Sequence, residues 1–103
     1  MKKEIELYEI IYLLNPHFTQ QEITSKIKHY QTFLMQQGSQ VMVQNKGKRS
    51  LSYPIKGFEN ANYIQMVYLG NGNLVASLNQ EIKRDESILR NITTRLPEEI
   101  KFA

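Results

Sequence analysis

Lys46, Lys48, Arg49 and Lys56 crowd one short stretch, and no acidic side chain occurs between Glu22 and Glu59 to neutralise them. Clustered ammonium and guanidinium groups do the chemistry of anion recognition: they meet phosphate oxygens through charge-assisted hydrogen bonds and release the counterions a polyanion holds. A second group, Lys83, Arg84, Arg90 and Arg95, is diluted by Asp85 and Glu86. The first group sits on a backbone with strand character. Leu51, Tyr53 and Ile55 alternate with Ser50, Ser52 and Pro54, so one face can be buried while the other stays polar. Pro54 brings no N–H to a ladder, which puts this strand at a sheet edge or ends it there. A cationic edge has two uses. It stops the edge from pairing with another copy, or it docks an anionic polymer or a partner chain.

Other chemistry is poorly supplied. There is no cysteine, and His17 and His29 are the only imidazoles, so neither a thiolate nucleophile nor a zinc site is expected. Neither standard glycine-rich phosphate loop nor a serine nucleophile elbow occurs. His17, after Pro16 at a strand end, reads as a solvated loop residue. Asp85 and Glu86 are adjacent, so their carboxylates diverge and read as turn and charge-balancing groups. An enzyme is not expected, nor a cofactor, a metal or a small-molecule substrate. No apolar run approaches the roughly 18 residues of a membrane span, and no membrane partner is expected. With 103 residues and a net charge of +3, the chain reads as one domain over 1–103 whose anion-binding capacity comes from how the cations cluster.

The elements that carry these residues can be read in order. Ile5 to Leu14 is apolar on both faces, as in a central strand, and Asn15-Pro16 ends it. Thr19 and Glu22 form a capping box, after which Ile23, Ile27, Tyr30 and Leu34 recur at helical spacing until Gly38. The opposite face, with Gln20, Gln21, Lys26, Lys28 and Gln31, reads as solvated. Ser39 to Asn45 reads as a strand that Lys46-Gly47 bends into the cationic edge segment. Gly57 to Asn62 reads as a loop, and Tyr63 to Leu69 as a strand pairing back as a hairpin. Asn73 reads as the cap of a second helix marked by Leu74, Val75, Leu78 and Ile82 and running to about Lys83. Ile88 to Leu96 reads as the last strand. On a regular strand Ile88, Arg90 and Ile92 would share one face, which leaves its buried side open.

The order strand, helix, strand, strand, helix, strand defines an α+β class, a split βαβ arrangement of ferredoxin-like architecture: one four-stranded antiparallel sheet with both helices on one face. The second and fourth strands are then opposite edges, so the two cationic groups flank the open sheet face. That face would carry Leu7, Ile11, Leu13, Tyr63, Val67 and Leu69, an apolar patch suited to a partner. Cations beside an aromatic-bearing sheet suit structured RNA, with Lys48, Arg49, Lys56, Arg84, Arg90 and Arg95 as candidate contacts. The single-stranded RNA platform of the same architecture fits less well, because its Lys/Arg-Gly-aromatic-Gly signature is missing from the third strand.

Three anchors, Tyr8-Glu9-Ile10 leading to Leu14-Asn15-Pro16, Gly47-Lys48-Arg49-Ser50-Leu51-Ser52-Tyr53-Pro54-Ile55, and Arg84-Asp85-Glu86-Ser87-Ile88-Leu89-Arg90, resemble those of the family of the sixth protein of the bacterial-type small ribosomal subunit. The resemblance runs from about Tyr8 to Leu96. It implies a structural constituent of the small subunit, in a bacterial cytoplasm or a plastid stroma, that binds small-subunit ribosomal RNA together with the eighteenth small-subunit protein. By position it makes Lys48, Arg49 and Arg90 the foremost RNA contacts, and it turns the second strand and open face, through Leu51, Tyr53, Ile11, Leu13, Tyr63 and Val67, toward the partner protein. The competing expectation is a small-ligand regulatory domain of the same architecture that dimerises through its open face.

Overall fold

In the computed structural model, residues 5–97 are described. Their order is β1 (Glu6–Leu14), α1 (Gln20–Gln36), β2 (Val41–Ile55), β3 (Phe58–Gly70), α2 (Gly72–Lys83) and β4 (Ile88–Arg95). All pairings are antiparallel and the sheet order is β2-β3-β1-β4. The expected split βαβ architecture is therefore present, with the proline-bearing β2 at one edge and β4 at the other.

The core is built where the sheet meets the helices. Ile10, Tyr12, Leu14, Ile64, Met66 and Tyr68 point from the two central strands toward Ile23, Tyr30 and Leu34 of α1 and Leu78 and Ile82 of α2. Thr19 caps α1 reciprocally, its hydroxyl accepting from the Glu22 N–H at 3.2 Å while the Glu22 carboxylate accepts from the Thr19 N–H at 2.8 Å. Gly38 ends the helix in the left-handed region at φ 86°, where a glycine has no Cβ to clash. Ile27, on the same apolar stripe, is only half-buried and packs at the margin of the core.

Four local readings change. The expected loop over Gly57 to Asn62 is absent, because Lys56 and Gly57, at φ 52° and 84°, close a two-residue hairpin turn and β3 starts at Phe58. Such turns need φ above zero at both central positions and usually advertise themselves as Asn-Gly or Asp-Gly. The cap of α2 is Asn71, not Asn73: its backbone is extended and its side chain accepts from the Leu74 N–H. Lys26 is not simply solvated, since its ammonium lies 2.7 Å from Asp85. Finally, β4 is irregular between its pairings Leu14↔Ile88 and Leu13↔Arg90. Leu89 is the extra residue of a bulge, so Ile88 enters the helix-side core while Leu89 packs on the other face with Leu13. That bulge is why Ile88 and Arg90 do not share a face.

Candidate nucleic-acid interface

Pairing partners in a sheet share a face, which fixes where each cation lies. In β2, irregularity between Asn45 and Gly47 rephases the strand, after which Lys48 pairs with Asn62 and Arg49 with Ala61. Ala61 belongs to the open-face cluster with Leu13 and Leu89, and Ile11, Leu51, Ile55, Phe58 and Tyr63 pack against it. Arg49 therefore faces the open side, its guanidinium carbon 5.7 Å from the centre of the Tyr63 ring. Lys48 faces the helix side, beside a depression of about 430 Å³ lined also by Phe18, Gln20 and Asn62.

The hairpin of β2 and β3 outreaches its neighbour: β1 stops at Leu14, opposite Asn62, and β3 continues back to Phe58. The overhang crosses the open face. Its Tyr53 reaches Arg90 of the opposite edge strand, whose Nη1 donates to the Tyr53 hydroxyl at 3.2 Å with the guanidinium 6.0 Å from the ring centre. Below it, Leu13 is 8% exposed, so this expected partner residue is covered by the chain's own hairpin. Ile11, Leu51, Tyr63 and Val67 are half-buried, and Tyr53 is exposed. Two residues that the sequence did not single out enlarge the apolar part of this face: Met42, paired with Val67, and Ile92, paired with Ile11, are 45% and 63% exposed. They were legible only once the register was known.

The remaining cations lie elsewhere, so the two groups do not both border the open face. Lys56 is at the hairpin tip. Arg84 caps the end of α2, 4.0 Å from Glu81. Arg95 pairs with Tyr8, whose ring packs on the helix-side core, and its guanidinium is 2.7 Å from Glu6. Among the described residues, Lys48, Arg49, Lys56 and Arg90 have no carboxylate within 4.0 Å. The same region holds no group of three or more His, Cys, Asp or Glu side chains able to bind a metal, and no helix long and apolar enough to cross a membrane.

Behind the interface one carboxylate organises the helix layer. Asp85 accepts from Lys26 Nζ at 2.7 Å, from the Tyr30 hydroxyl at 2.6 Å, and from the Ser87 N–H and hydroxyl at 3.0 and 2.6 Å. Burial works to raise its pKa, but the hydrogen bonds from Lys26, Ser87 and Tyr30 together outweigh burial and bring it to about 2. Asp85 thus ties α1 to the turn that launches β4, and it fixes where Arg90 begins.

Fold and site together describe a ferredoxin-like domain whose uncovered sheet face combines exposed apolar groups with uncompensated guanidinium charge, the outline of a structural protein that assembles with nucleic acid. The model of the Ribosomal protein S6 family matches residues 7–95. The chain is similar to small ribosomal subunit protein bS6c of Guillardia theta, with 36% identity over 90% of this chain and 98% of that protein. It is similar also to bS6 of Thermosynechococcus vestitus, with 38% identity over 89% and 82% respectively. In fold it is similar to the crystal structure of 30S ribosomal protein S6 from Thermotoga maritima, at a TM-score of 0.84 and 19% identity, covering 90% of this chain and 89% of the other. The chain belongs to the ribosomal protein S6 family. It is a structural protein of the small ribosomal subunit and not an enzyme, and its place is the ribosome of a bacterial cytoplasm or a plastid stroma.

Proposed function

We propose that this protein binds small-subunit ribosomal RNA through the hairpin end of its open sheet face, where Arg49 and Arg90 take backbone phosphates, and receives the eighteenth small-subunit protein on the remainder of that face. One observation carries the reading: two arginines from opposite edge strands lie on the same sheet face, each beside a tyrosine ring, neither with an acidic partner among the described residues. A guanidinium in that state presents most of its five donors and its full charge to a phosphate. Ile11 and Ile92 lie on the next same-face rung beyond Leu13 and Arg90, and Met42 and Val67 on the one after it; together they supply the apolar contact that a protein partner needs. Lys56 extends the cationic surface at the hairpin tip and Lys48 on its reverse, while Arg84 and Arg95, already near carboxylates, contribute less.

The test is co-sedimentation with small ribosomal subunits through a salt wash, followed by titration of purified small-subunit ribosomal RNA with and without the eighteenth protein. Retention, and tighter binding with both proteins present, is the expected result. A stable homodimer that ignores the RNA would overturn the proposal in favour of a dimeric regulatory domain.

A further inference from the structure

Tyr53 has no packing reason for its position. It is 57% exposed, it lies outside both hydrophobic clusters, and it sits where the β2–β3 register is irregular, between the pairings Ser50↔Asn60 and Ile55↔Phe58. Among the described residues its one polar contact is with Arg90. We infer that Tyr53 is a positioning residue for Arg90, holding the guanidinium over the open face in the orientation that receives an RNA phosphate; the inference rests on the RNA-binding reading above.

The argument turns on what kind of acceptor holds the arginine. Arg95 is held by the Glu6 carboxylate at 2.7 Å, which immobilises it and cancels its charge. A phenol immobilises without cancelling. The Tyr53 hydroxyl occupies a single N–H of Arg90 at 3.2 Å, and the ring lies 6.0 Å from the guanidinium carbon, at the outer limit of a cation–π contact. The other donors and the whole positive charge stay available for a bidentate phosphate contact. A long exposed side chain otherwise loses rotamer freedom at the moment of binding, and a side chain already oriented loses less. Because Tyr53 belongs to the hairpin and Arg90 to β4, the contact also makes RNA binding by one edge strand depend on how the other edge is folded over the sheet.

The experiment measures binding of purified small-subunit ribosomal RNA over a series of salt concentrations for the full chain and for Tyr53→Phe, Tyr53→Ala, Arg90→Ala and the double variant Tyr53→Ala/Arg90→Ala, with thermal melting of each. Tyr53→Ala is expected to weaken binding by about threefold to tenfold with an unchanged log–log salt slope, since no charge is removed. Tyr53→Phe, which keeps the ring, loses a smaller part. Arg90→Ala lowers the slope by about one unit, and the double variant binds no more weakly than Arg90→Ala. Full affinity in both Tyr53 variants while Arg90→Ala still weakens binding overturns the positioning role and leaves RNA binding intact. Additive losses also overturn it, because Tyr53 then acts independently of Arg90. If the unaltered protein shows no salt-dependent affinity, the RNA-binding reading itself falls. Should Tyr53→Ala melt early, Tyr53→Phe, which only deletes an oxygen, decides the matter.

Discussion

Lys48 and Arg49 are neighbours in the chain yet lie on opposite faces of the sheet, Lys48 across from Asn62 on the helix side and Arg49 across from Ala61 on the open side. Two adjacent cations therefore cannot serve one phosphate. Arg49→Ala is expected to weaken binding to small-subunit ribosomal RNA and to reduce the salt slope by about one unit, one fewer counterion being released. Lys48→Ala should have the smaller effect. Fold stability should change by no more than about 0.5 kcal/mol in either, as for other exposed substitutions. Unchanged affinity and slope in both variants would remove this edge from the RNA contact.

Asp85 gives an acid signature. Its folded-state pKa is about 2 against an ordinary 3.8, so its contribution to stability is fully present above pH 3.8 and drains away as pH falls from there toward 2. Asp85→Asn is expected to lose about 1–2 kcal/mol at neutral pH and to flatten the stability profile in that acid window. Chemical denaturation at a series of pH values reads both. An acid limb as steep as in the unaltered protein would mean that the Lys26–Asp85–Tyr30 cluster contributes nothing.

The alkaline side is set by tyrosines. Burial, first of all, pushes the hydroxyls of Tyr12, Tyr30 and Tyr68 above the ordinary value of 10.0, Tyr68 to about 12, and the Asp85 charge adds to the effect at Tyr30 and Tyr12. Raised values favour the folded state below pH 10, and that stability is lost as pH climbs past it. These three hydroxyls should therefore ionise later than an ordinary phenol, well above pH 10, or together with unfolding. A phenolate absorbance titration alongside circular dichroism tests it, and ionisation of these three hydroxyls near pH 10 in a folded protein would contradict it.

Within the core, depth should order the losses. Leu34 is 0% exposed, and Leu34→Ala is expected to cost about 2–5 kcal/mol. Ile27, half-buried at the margin, should cost about 1–2 kcal/mol when cut to alanine, because fewer of its atoms leave water. Equal losses at the two sites would put Ile27 deeper than its neighbours allow.

The hairpin tip trades stability for charge. Lys56 occupies φ 52°, a region that costs a residue with an ordinary side chain about 1–2 kcal/mol and that asparagine tolerates better. Lys56→Asn is expected to stabilise the fold by about 0.5–1 kcal/mol while weakening RNA binding. A thermal melt and a binding titration on one variant suffice, and a destabilised variant would show that the lysine stem packs on the hairpin.

Much of this was legible beforehand, for physical reasons. The capping box at Thr19 and Glu22, the proline-limited edge strand and the two-faced β1 each carry a local signal that the structure repeats. The misreadings occur where geometry depends on a distant strand. Lys56-Gly57 is an uncommon pair for a tight turn, so the sequence places the start of β3 too late. The Leu89 bulge exists only relative to Leu13 and Leu14, and no periodicity within β4 reveals it. The Tyr53–Arg90 contact joins opposite edges of the sheet, and it appears only when the overhang of one hairpin is known.

The sheet order also governs how the chain can be made. Of the described strands β1 is made before the others, and its β4 neighbour waits until residues 15–87 have followed, at roughly 5–20 residues per second. During that interval the nascent sheet ends at β1, a strand apolar on both faces with a row of unsatisfied N–H and C=O groups, open to pairing with any other extended chain nearby. The finished edges carry Pro54 on one side and a bulge on the other, yet neither protects this temporary edge. Arrival of Ile88–Arg95 seals it, so the last of the four described strands is the one that makes the molecule safe from its own kind.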